Sequence, residues 1–253
     1  MSATAVAGAV LALVFGAGLA GMALRTLLPE HHVSDASKDA VTRAVGLVVT
    51  LTGLVLGFMV GAAKGYYDEV AGDLKRIAAD AATLDRDLAR CGPGADAARV
   101  LLRQTMGSAL RTLWPDARSE APTLPAGRPI DALLRLQDLV DALPAATEAE
   151  RSAQARARQT AAQLAHAGWQ LVELTQTGIH TAIVAILVAW LMLIFLGFGL
   201  LAPRNGTVLA AFALAALAAA GALFLILELY NPLHGLVRIP PSVLEIPFAR
   251  VGG

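Results

Sequence analysis

The sequence predicts an all-α membrane protein, with four transmembrane helices in two pairs and a helical extramembrane bundle inserted between spans 2 and 3. Three observations predict it. Four long apolar runs carry no Asp, Glu, Lys or Arg in their interiors, a polar stretch with helical periodicity separates the second from the third, and no stretch alternates as a strand would. Across 253 residues, 56% hydrophobic content and a mean hydropathy of +0.60 exceed what a typical soluble domain carries. Net charge is zero, so nothing global points to nucleic acid or an acidic substrate. Cys91 is the one cysteine, which excludes an intramolecular disulfide and a cysteine-based metal site.

The apolar runs are Ala3–Leu24, Val41–Ala63, Ile179–Leu201 and Thr207–Leu227, each near the ~20 residues that a ~30 Å hydrocarbon core requires. The first lacks a basic segment before it and exceeds the ~7–15 apolar residues of a signal peptide, so it reads as a retained span. The second continues into the aqueous phase. Val70, Leu74, Ile77, Ala81, Leu84 and Leu88 alternate by four and three, the spacing of a coiled-coil seam, as far as Arg90. Gly92-Pro93-Gly94 stops that helix. Ala95–Leu113 forms the next, with a stripe of Leu102, Met106, Leu110 and Leu113 ending at Trp114-Pro115. Asp116–Pro129, rich in Pro, Ser and Gly, is a loop. Ile130–Leu143 is amphipathic and is broken by Pro144, and Glu148 begins a long helix expected to run on into the third span. The organisation is thus spans 1 and 2 in residues 1–63, a helical extramembrane domain in 64–177, spans 3 and 4 in 178–229 and a tail in 230–253.

Charge leaves orientation open. Arg25, Lys38, Arg43 and Arg204 favour both short loops inside, whereas Lys64, Lys75, Arg76 and Arg238 lie on the side of the insert.

Several motifs invite function. Gly53, Gly57, Gly61 and Gly65 repeat strictly every four residues on span 2. Small residues let membrane helices approach closely, so the ladder serves either a subunit interface around an axis or packing within one bundle. Beside it, Thr50, Leu54 and Phe58 form a row that could line a pore as an apolar constriction, or face lipid or core. His31, His32, Asp35 and Asp39 are ligand-type residues. The simpler reading has Ser34 or Asp35 capping span 2, the acids at its positive end, Lys38 balancing them and the histidines at the interface. Pro203-Arg204-Asn205-Gly206 is a turn, with Arg204 anchored at the headgroups, attracting an anion or clasping a neighbouring subunit. Glu228, within a turn of the membrane boundary, has Lys64 or Arg238 as candidate partners. No phosphate loop, metalloprotease or nucleophile motif is present, so the expectation is a non-enzyme without cofactor or metal.

The stretches HHVSDASKDAVTRAVGLVVTLTGLVLG through AKGYYD, LDRDLARCGPG with the later LWP, and FGLLAPRNGTV through ILELYNPLHGLVRI resemble, in order, a bacterial membrane family with a bestrophin-like domain. The chain departs from the usual Asp-x-Pro-Phe-x-Gly ending: Tyr230-Asn231-Pro232-Leu233-His234-Gly235 keeps the Pro and Gly but has Leu233 for the Phe, which puts any side-chain role there in doubt. The resemblance implies a multi-pass protein of the bacterial inner membrane, related distantly to bestrophins. Those are pentameric ion channels whose axial pore is lined by the second span and whose termini and soluble part are cytoplasmic. The expected function is an oligomeric channel for small anions, with lipid, sister subunits and small inorganic ions as partners. The alternative is a non-conducting scaffold or sensor whose helical domain binds a protein through the Val70–Leu88 seam.

Overall fold

An unbroken 56-residue helix, α2 (Asp35–Arg90), dominates a computed structural model that describes residues 2–27, 35–115, 129–176 and 181–244. The other helices are α1 (Ala3–Leu24), α3 (Asp96–Leu113), α4 (Pro129–Asp141), α5 (Glu148–Gln176), α6 (Thr181–Leu201) and α7 (Gly206–Leu229). No strand occurs among the described residues. Four helices are long and apolar enough to cross a membrane: α1, α2, α6 and α7. The expected run of α5 into the third span depends on residues 177–180, which lie outside the described ones.

The chain divides into two units, Met1–Tyr67 with Gly178–Asn231, and Asp68–Thr177 with Pro232–Gly253. α2 begins in the first and ends in the second. In the first unit α1 packs against α6 and α7, so the packing crosses the sequence pairs. Its core includes Val10, Val14, Leu187, Leu191, Phe195, Ala216 and Leu223, with Phe195 and Phe212 edge to face.

The second unit buries the α2 seam. Val70, Leu74, Leu84 and Leu88 are fully covered, with Ile77 and Ala81 almost so, alongside Leu102 and Leu110 of α3, Leu136 and Val140 of α4, and Ala157 and Leu164 of α5. Gly92, at φ +83°, makes the left-handed step that ends α2, and a 3-10 turn at Pro93–Ala95 leads into α3. Ion pairs tie α2 to its neighbours. Arg99 grips Asp85 bidentately at 2.9 and 3.1 Å, and Arg156 reaches Asp87 at 3.2 Å. Gln154 donates to the carbonyls of Val140 and Leu143, just where α4 ends. At the start of α5, Thr147 and Glu150 exchange hydrogen bonds, and these bonds hold the Glu150 carboxyl below its ordinary range.

The departure at Leu233 has a structural reading. Leu233 is buried, Gly235 adopts φ +103°, and the Ile239 amide closes the turn onto the Pro232 carbonyl at 2.7 Å. The Trp114 indole N–H then donates to the Ile239 carbonyl at 2.9 Å. The segment is a packed hook in which a leucine fills the space.

Candidate functional site: the open face of α2

The membrane stretch of α2 is the least covered of the four. In its most apolar window 11% of residues are buried, against 33% for α1 and for α6. One side is seated: Val45, Thr52 and Ala63 are buried, and Val45 presses on Gly197 of α6. At about 100° per residue these three share one flank. The opposite flank carries two adjoining arcs. One holds Gly53, Gly57, Gly61 and Gly65, where, apart from the helix's own backbone, no described atom comes within 4 Å of where a Cβ would stand. The other holds Leu47, Leu51, Leu54 and Phe58, the last 70% exposed. Thr50 lies between them, its hydroxyl donated back to the Gly46 carbonyl at 3.0 Å, so a methyl is its outward group.

Among the described residues, the chain therefore supplies no packing partner to the ladder. The close helix contact of this unit is elsewhere, between α1 and α6. A Cβ on Gly21 would collide with the Leu196 carbonyl, and one on Gly199 with the Gly18 carbonyl. Sequence reading missed this pair, although Gly18-x-x-Gly21 and Gly197-x-Gly199 were the available signals.

The remaining predicted residues fall in three places. His31 and His32 lie outside the described residues. Asp35 and Lys38 are in the first turn of α2 with side chains outside them, and Asp39 is exposed. Among the described residues, no group of three His, Cys, Asp or Glu could hold a metal. Asn205 caps α7, accepting from the Val208 amide at 2.9 Å. Arg204 donates to the Met22 carbonyl at 2.8 Å, which makes it a brace between α1 and the α6–α7 turn. Glu228 is 4% exposed near the end of α7, close in sequence to Tyr230, which stacks on Tyr66 at 5.2 Å. Lys64 sits 5.6 Å above the Tyr67 ring.

One expected surface is corrected. The Val70–Leu88 seam cannot zip to a partner, because its residues are already buried within their own unit. Burial also pushes the Cys91 thiol up, with Asp87 adding to the effect, so it is no reactive thiolate.

Comparison with known proteins gives the same fold. A family model described as the bestrophin-like domain matches residues 12–244, and the chain belongs to that family. No curated protein matches it. Among solved structures, crystal forms of a bacterial bestrophin homologue from Klebsiella pneumoniae are similar over nearly their whole length. One point variant superposes with a TM-score of 0.68 at 15% identity, covering 99% of this chain and 97% of that one. The structure phased on zinc gives 0.66 at 16% identity, covering 96% of each. At these identities the likeness establishes the fold.

Proposed function

We propose that this member of the bestrophin-like family assembles into a closed ring and conducts small anions passively along the ring axis. The observation that carries the reading is the flank of α2 that the described residues of its own chain leave uncovered. A single set of four spans has no room for an axial pore, so a pore requires several copies around one axis, joined by repeated head-to-tail contacts. The glycine arc lets neighbouring helices approach, and the adjoining Thr50, Leu54 and Phe58 row narrows the axis with apolar side chains. Such a constriction gates by excluding water, and its lack of a carboxylate raises no electrostatic barrier to anions. The bacterial inner membrane is the proposed location, and the buried seam leaves the scaffold alternative without its surface.

The test has two stages. Native mass of the detergent-solubilised protein is measured first, and four or more subunits are expected. Bilayer currents from wild type and from the Leu54→Ala, Phe58→Ala double variant follow, with a larger open current expected once the constriction is trimmed. The reversal potential under a chloride gradient reads the permeant ion. A monomer or dimer in several mild detergents, or absent current in both forms, would overturn the channel.

A further inference from the structure

At the short-loop end of the first unit, two arginines far apart in sequence brace each other's helices. Arg25, directly after α1, donates from Nη1 to the Ala202 carbonyl at 2.7 Å, just past α6. Arg204 donates from Nη2 to the Met22 carbonyl at 2.8 Å and to the Thr26 hydroxyl at 3.4 Å. Thr26 in turn donates to the Ala23 carbonyl at 2.7 Å. Both guanidiniums are thus held in place by carbonyls that α1 and α6 leave unpaired at their ends.

Capping a neutral carbonyl needs a donor, not a charge. A guanidinium carries five N–H groups in a planar fork, and each of these arginines spends one nitrogen on the brace. Among the described residues, the Nε and the second Nη of each make no hydrogen bond. Neither arginine forms an ion pair among the described residues, and the turn Ala202–Thr207 contains no acidic residue. The N-terminus of α7, which begins at Gly206 in the same turn, adds its positive dipole end. The site follows directly on the charge-free runs of α1 and α6, which places it at headgroup depth.

We infer that Arg25 and Arg204 together form a phosphoryl-binding site, built to take the phosphate of an anionic phospholipid headgroup. Two preset forks suit the tetrahedral oxygens of a phosphate, which accept paired N–H donors better than a point charge would arrange. The site is independent of conduction, so its test does not turn on the channel reading.

The experiment is thermal unfolding of the full-length protein in non-ionic detergent, titrated with phosphatidylglycerol, phosphatidylcholine or inorganic phosphate. Phosphatidylglycerol should raise the unfolding midpoint by several degrees, and phosphatidylcholine should not. The Arg25→Gln, Arg204→Gln double variant keeps an amide donor for each carbonyl, and should fold yet lose the response. If it does not survive extraction, the two single variants carry the test, each losing part of the shift. A full shift from inorganic phosphate alone would overturn the lipid as source and assign a soluble phosphoryl ligand. A lipid response unchanged in the glutamine variants, or equal for both lipids, would overturn the site.

Discussion

Gly21 and Gly199 sit where the chain closes on itself, each facing a backbone carbonyl too near to admit one more carbon, whereas Gly53, Gly57, Gly61 and Gly65 face nothing among the described residues of their own chain. The residue type and membrane setting are the same, but the use differs. In the α1–α6 contact, glycine permits a backbone approach that folds the chain. On α2 it leaves a smooth, narrow flank beside a row of exposed apolar side chains. Without a hydrophobic force between helices in lipid, close van der Waals packing drives association, and a glycine flank is a surface suited to it. The contrast separates what holds one chain together from what remains for a second.

Substitutions can break that contrast in order of expected effect. Gly199→Leu should be the most damaging, driving a side chain into the Gly18 carbonyl. The protein should lose its monodisperse peak in detergent size exclusion, and a wild-type profile would refute the closed contact. Leu84→Ala empties a fully buried position of the α2 seam and should cost about 2–5 kcal/mol in chemical unfolding, while leaving native mass unchanged. Gly57→Leu and Gly61→Leu should do the reverse. Stability of the single chain should move by only about 0.5 kcal/mol, as for open surface positions, while native mass spectrometry reports smaller assemblies. Unchanged mass in both would detach the ladder from assembly.

The smallest effect is a control in neither glycine set. Hydrogen bonds hold the Glu150 carboxyl below its usual range, so its contribution is present at neutral pH and is lost as pH falls through that lowered value. Amide protection at the start of α5, the observed exchange rate set against the intrinsic one, should therefore fall on acidification through the carboxylate range, and Glu150→Gln should show the lower protection at neutral pH. Acid-insensitive protection there would argue against the capping box.

Much of this architecture was legible in the chain. The long apolar runs mark the spans by length alone, the four-three spacing from Val70 to Leu88 gives the seam, and Gly92 and Pro144 mark where helices stop. These are local signals, set by periodicity and backbone freedom. The site was legible in part: the spacing of the α2 glycines singled them out, but spacing cannot say whether a face is covered. The Gly21–Leu196 approach and the exchange between Arg25 and Arg204 join residues more than 170 positions apart, and no periodicity encodes such a pairing. The seam misled for the same reason, since a stripe that can zip to a partner looks identical to one that its own chain buries.

The two glycine sets also turn inheritance into a reporter of assembly. Every missense change at glycine adds at least a carbon, and at Gly21 and Gly199 that carbon meets backbone, so even alanine is refused for reasons internal to one polypeptide. At Gly53, Gly57, Gly61 and Gly65 the isolated chain has space for alanine or serine. Intolerance recorded at those four codons in a saturation library must therefore originate in another molecule, and its pattern along α2 would trace the outline of whatever lies against it.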